Sequence, residues 1–142
     1  MTLKQFIEVL EATAAKQAAV ATIVPQDVYR LNSMPNAKYG VFSWLHGQHE
    51  EAIGGSEREY RFTLFYVDRL TEDRGNLLDV QSVGVETLSN ILRTLVADYP
   101  DEVALVQSVA YHPFTEKFVD ECAGIYADVA VAVALDDICE EL

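Results

Sequence analysis

The chain has 142 residues, half of them hydrophobic, enough for one ordinary core and leaving no room for a second domain. Ten basic against 23 acidic residues leave a formal net charge of −13, which opposes adhesion to DNA, RNA or anionic lipid, where binding needs Lys and Arg to displace counterions. Met1 to Gln5 lacks a secretory signal pattern, and the longest low-charge stretch, 123–135, is broken by Asp128 and too short for a membrane span, so a soluble protein is expected.

The first segment, Thr2 to about Ala21, reads as an amphipathic helix. Thr2 and Gln5 have capping-box spacing, and Leu3, Phe6, Ile7, Leu10 and Ala14 form one apolar stripe. Its alanine-rich end tolerates close approach by a sheet or a neighbouring subunit. Pro25 ends the element, and 26–38, with Asn32, Ser33, Pro35 and Asn36, reads as an irregular connection. Tyr39 to His46 alternates as a strand rich in aromatics. The polar run Gly47 to Glu59 is expected to be a long hairpin loop with a turn at Gly54-Gly55-Ser56, and Tyr60 to Val67 resumes a strand. In that strand Tyr60, Phe62, Leu64 and Tyr66 share one face and Arg61, Thr63, Phe65 and Val67 the other, as a period of two requires. Two largely apolar faces point to a central strand, or to one covered by another molecule.

Asp68 to Asn76 reads as a charged turn laced with ion pairs. A second helix follows from about Leu77 to Tyr99, with Val85, Leu88, Leu92 and Leu95 in its stripe and Pro100 as its stop. Val103 to His112 alternates as a third strand, Pro113-Phe114 reads as a turn, and about Ile125 to Leu135 is the last strand. There Val129, Val131, Val133 and Leu135 are expected to meet the helices, while Ala130, Ala132 and Ala134 leave a face shallow enough to be stacked upon. An acidic tail, 136–142, closes the chain. The expected architecture is α+β: helix, two strands, helix, two strands, forming a four-stranded, mainly antiparallel sheet with two helices packed on one face.

Chemistry-bearing patterns are sparse. There is no GxGxxG or GxxxxGK[ST] sequence, so no cofactor is assigned. His46 and His49 have a spacing that would serve one metal on a helix, with Glu50 and Glu51 as further ligands. Gly47 argues against a helix, and on a strand the two imidazoles would face opposite ways, so no metal ligand is assigned. His112, before Pro113, marks a strand end. Ser82, Ser89, Ser108, Cys122 and Cys139 stand in no nucleophile motif, and the two cysteines are read as buried or incidental thiols. Asp68, Glu72 and Asp73 are interleaved with Arg69 and Arg74 as a solvated turn. Basic residues are too scattered for a nucleic-acid reader. No catalytic residue is assigned, and the chain is read as a non-enzyme.

The stretch Tyr60-Arg61-Phe62-Thr63-Leu64-Phe65-Tyr66-Val67-Asp68-Arg69-Leu70, then Asp73-Arg74-Gly75-Asn76 and Gln81-Ser82, resembles small structural proteins of tailed phages and prophages of Bacteroidetes, including the crAss-like group. Pro113-Phe114-Thr115-Glu116-Lys117-Phe118-Val119-Asp120 with Ala123-Gly124 extends the likeness over roughly residues 39 to 139. The order of elements is similar to tail-terminator and head-tail connector proteins. The resemblance implies a homo-oligomeric ring in the neck or at the top of the tail of a virion, assembled in the host cytoplasm. Its implied partners are portal or adaptor rings and tail proteins, with DNA only passing through the channel and no membrane contact. The loop 47–59, with Glu50 and Glu51, and the tail, with Asp136 and Asp137, are candidates for intersubunit reach. Trp44, Phe65 and Tyr66 are candidate interface anchors, with core packing as the alternative role. The competing class is a small cytosolic protein-binding or regulatory module without catalysis.

Overall fold

A computed structural model describes residues 1–135 of the chain. The acidic tail, with Asp136, Asp137 and Cys139, lies outside the described residues.

Helix α1 (Leu3–Ala15) begins as its sequence dictates. The Thr2 amide donates to Gln5 Oε1 at 2.8 Å, and the Gln5 amide donates to Thr2 Oγ1 at 3.2 Å. It ends at Ala15 rather than Ala21, because Thr22, Ile23 and Val24, all β-branched, form strand β1 (Thr22–Val24). Strand β1 pairs in parallel with β2 (Val41–His46). A parallel pair needs a crossover of a dozen or more residues, and 25–40 supplies it. Within it Asp27 caps a 3-10 helix, Val28–Ser33, by accepting from the Tyr29 amide at 2.9 Å. Val28 and Leu31 are thereby pressed onto Val24, Val41, Val67, Phe118 and Cys122, which form a small second core.

The remaining elements are β3 (Glu50–Glu51), β4 (Glu57–Arg69), α2 (Leu77–Asp98), β5 (Val103–Leu105), β6 (Ala110–Lys117) and β7 (Glu121–Ala134). The sheet runs β1-β2-β4-β7-β5, with β3 paired to β4 and β6 to β7. It is thus a seven-stranded mixed sheet, which corrects the expected four-stranded, mainly antiparallel one; the α+β class holds. Three pairings make the difference. The first is the parallel β1. The second is a pair of residues, Glu50 and Glu51, that folds the expected loop 47–59 back onto Arg58 and Glu59. The third is a break in the expected strand 103–112, because β5 pairs with Val131–Val133 while β6 pairs with Glu121–Asp128. Pro113 is inside β6, opposite Ile125, and not in a turn; β6 is an edge strand, where proline is tolerated. The reversal comes later, where the Phe118 amide donates to the Asp120 carbonyl at 3.0 Å.

Both α-helices cover one face of the sheet. Phe6 and Leu10 of α1 and Leu88, Ile91 and Leu95 of α2 bury against Phe42, Tyr60, Phe62, Leu64, Val129, Val131 and Val133. The alternation expected in β4 is therefore the one the core uses. The turn 68–76 is held by hydrogen bonds more than by ion pairs. Asp73 accepts from Thr71 Oγ1 at 2.8 Å and the Gly75 amide at 2.9 Å, and Arg74 reaches out to Glu121 at 3.9 Å. Those donors, the Gly75 amide first, hold the Asp73 carboxyl below the usual range.

Two glycines allow the layers to close. A Cβ at Gly84 of α2 would lie 2.9 Å from Ile125 Cγ1, and one at Gly124 would strike the Tyr66 carbonyl across the ladder. Gly124→Ala should force β4 and β7 apart and lower the unfolding free energy by about 2 kcal/mol or more. Urea unfolding reads this directly, and an unchanged midpoint would show that the two backbones have slack there.

Candidate functional site

Two surfaces gather the side chains that the fold itself does not use. The first is the hairpin end of the sheet. Strand β2 ends at His46, and the turn at 47–49 brings His49 back beside it, so the two imidazoles are not on opposite faces as strand spacing predicts. His46 Nδ1 and His49 Nε2 are 3.1 Å apart, and the rings are nearly parallel at 5°. The Arg61 amide donates to His49 Nδ1 at 3.2 Å. That bond places the His49 proton on Nε2, where it is donated to Nδ1 of His46. Around the pair, Arg58 bonds Glu51 at 2.6 Å and the Tyr60 hydroxyl at 3.0 Å, while Arg61 bonds Glu59 at 2.6 Å and reaches Glu50 at 3.4 Å. Phe62 and Trp44 close the apolar side. Burial first, then His46 and the Arg58 guanidinium, hold the His49 imidazole below its ordinary range. His46 Nδ1 and both nitrogens of His49 are used within this pair and on the Arg61 amide. Among the described residues, no group of three or more His, Cys, Asp or Glu side chains is placed to hold a metal ion.

The second surface is the sheet face turned away from the helices. The crossover with its 3-10 helix covers one end of it. Beyond that cover lies a half-buried aromatic patch. Phe65 meets Phe114 edge-on at 6.4 Å and Tyr126 at 6.2 Å, and His112 stacks on Tyr126 at 4.8 Å. His112 thus stands within β6 and not at a strand end. Further along, Thr63 donates to Asp128 at 2.8 Å, Leu45 is 45% exposed, and Ala130 and Ala132 form a shallow floor between the hairpin and Val106.

The other residues singled out in the sequence divide clearly. Trp44 and Tyr66 lie in the helix-side core. Trp44 Nε1 donates to Glu11 at 2.9 Å, and the Tyr66 hydroxyl donates to the Ala19 carbonyl at 3.4 Å, its own ionisation pushed up to about 12 by burial and then by Asp68. Phe65 lies on the outer face, and Glu50 and Glu51 lie on the hairpin. Cys122 is buried, and burial pushes its thiol up to about 11, so at neutral pH it carries no nucleophilic thiolate. Its neighbour Tyr39 donates to Asp120 at 3.1 Å at the mouth of a polar cleft with Asp68 and Arg69. Sequence reasoning missed Arg58 and Tyr126 as site residues. The alternating charges of Glu57-Arg58-Glu59 are the signal that this run is a paired strand, whereas nothing local announces that Tyr126 will meet Phe65 and His112.

No protein-family model matches the chain, and none of the curated proteins matches it. No helix among the described residues is long and apolar enough to cross a membrane.

The histidine pair makes the hairpin sensitive to acid. An unfolded chain protonates His49 near pH 6.5, whereas in the fold its value is lower, so the unfolded state binds more protons in between. The stability that neutral His49 contributes is complete above about pH 6.5 and is lost as pH falls through the folded value. Protonation also turns Nδ1 into a donor facing the Arg61 amide. The Arg61 amide should therefore lose exchange protection on acidification while the Phe65 amide, in the same strand, keeps it. Equal protection of both through the titration would contradict the assigned proton positions.

Proposed function

We propose that this chain is a non-catalytic structural protein that assembles as a homo-oligomeric ring in the neck or at the top of the tail of a tailed-phage particle, between a portal or adaptor ring and tail proteins. The observation that carries the reading is the outer face of the sheet. The chain's own crossover covers one end of it and leaves Phe65, His112, Phe114, Tyr126 and Leu45 for another protein to bury. Aromatic side chains in such a patch are the type enriched at the centres of protein interfaces. Edge strands β1 and β6 leave further backbone groups for a neighbour. The resemblance of roughly residues 39 to 139 to small structural proteins of tailed phages supports the same reading.

The charge supports the role in the channel. A net charge of −13 on every subunit disfavours retention of a passing duplex, so packaged DNA slides without sticking. Acidic side chains facing the lumen would serve this directly.

Light scattering on the purified protein, with negative-stain imaging, should show a closed ring of many chain masses. A single-chain mass at every concentration, unchanged by added neck proteins, would replace this reading with that of a monomeric binding module. In a gel-shift assay at about 0.15 M salt, where the Debye length is about 8 Å, the assembled protein should leave linear duplex DNA unshifted. Retention of the duplex would rule out an inert channel wall.

A further inference from the structure

We propose that the tip of the β3–β4 hairpin is a knob that seats in a groove on the α2 flank of the next copy of this chain. The inference rests on the ring reading above and names the contact through which neighbouring subunits hold one another.

The knob is Ile53, 91% exposed at the tip of the hairpin. A large β-branched side chain held in water adds nothing to the single chain, yet the turn that presents it is firmly built. The Gly55 amide donates to the Ala52 carbonyl at 2.8 Å, and Gly54 takes a φ of 95°, a value that suits glycine. The Leu135 amide donates to the Ser56 carbonyl at 2.9 Å, which ties the tip to the end of β7. Behind it, Arg58 bridges Glu51 and the Tyr60 hydroxyl, and that hydroxyl donates to the Met1 carbonyl at 3.1 Å. An apolar group on a braced tip is pre-organised for insertion, since little freedom remains to be lost on binding.

The socket is a groove of about 480 Å³ between the second half of α2 and the β5–β6 segment, lined by Leu92, Arg93, Val96, Leu105, Val109 and Tyr111. Its lining is mainly apolar, and its one guanidinium is poorly matched within the chain. Arg93 Nε donates to Ser89 at 3.1 Å, and Arg93 meets no carboxylate among the described residues. The hairpin has the complementary excess. Glu50, Glu51, Glu57 and Glu59 stand against Arg58 and Arg61, four carboxylates to two guanidiniums, and Glu57 makes no ion pair among the described residues. Polarity and charge therefore match between two parts of the same surface.

Knob and groove are in different places. The hairpin leaves the sheet where β4 residue Glu57 pairs with Ala134 on one side of β7, whereas the groove residues Leu105 and Tyr111 stand opposite Val131 and Ala127 on its other side. The exposure of Ile53 shows that the tip does not fill its own chain's groove. A contact between two unlike patches repeats head to tail, and such a contact closes into a ring when its rotation closes.

Two measurements test this. In a Cys139→Ser background, Ile53→Cys protein is mixed with Val96→Cys protein and oxidised gently. Links between 53 and 96 should form in preference to 53–53 and 96–96. Separately, Ile53→Asp should keep its circular dichroism and self-associate at least about tenfold more weakly in sedimentation. If the protein assembles, the 53–96 link is not preferred and Ile53→Asp assembles as well as the parent, the knob contact is wrong and the ring reading stands. If the parent sediments as one chain at all concentrations and no 53–96 link forms, both are wrong.

Discussion

The pairing of β4 with β7 is the interaction on which the rest of the structure depends. Every residue from Glu57 to Arg69 has a partner between Cys122 and Ala134, and each other strand except β1, which joins through β2, attaches to one of these two. The ladder also fixes which side chains reach the helices. Tyr60 stands opposite Val131, Phe62 opposite Val129, Leu64 opposite Ala127 and Tyr66 opposite Ile125. A slip of one residue would turn this whole row to the outer face and leave α1 and α2 without a floor. Gly124, opposite Val67, is where the two backbones come too close for any side chain.

The same ladder creates the asymmetry that the functional reading uses. The helices cover the middle of one face, and on the other face, among the described residues, the segment between β1 and β2 together with Phe118 covers one end. Small residues then do two different jobs. Gly84 and Gly124 let the layers approach, whereas Ala130 and Ala132 keep the outer floor shallow. The half-buried aromatic patch beside that floor is the surface a monomer has least reason to keep. At the far end, an extension of β4 beyond β2 carries the hairpin, and a cluster of hydrogen-bonded histidine, arginine and glutamate side chains stiffens it. The ion pairs there are partly exposed and individually weak, so the shared hydrogen bonds and the tie to β7 matter more than any single pair.

The helix start at Thr2, the face alternation of β4 and the end of α2 before Pro100 were all legible, because each depends on spacing between near neighbours. Where local signals competed, the outcome was not. Thr22, Ile23 and Val24 are β-branched, yet they follow an alanine-rich run whose periodicity carries a helical reading past Ala15. Val103 to His112 alternates throughout, and no residue in it says that the chain leaves β7 after Leu105 and rejoins it at Ala110. Of the candidate site residues, Trp44 and Tyr66 proved to be core, since an aromatic on a strand looks the same whether a helix or water faces it. Phe65 lies in the outer patch.

The sequence alone determined the α+β class, the extent of α2, the face alternation of the central strand, the acidic charge and the turn at Gly54-Gly55-Ser56, whereas β4 runs past the expected Tyr60–Val67 at both ends, to Glu57 and Arg69. The features read correctly follow from covalent geometry, side-chain volume and charge within a few residues. Only the tertiary structure decided that the sheet has seven strands, that His46 and His49 touch, and that Phe65, His112 and Tyr126 form one patch. Those outcomes depend on which backbone groups, far apart in the chain, satisfy each other's hydrogen bonds. Local periodicity carries no record of that choice.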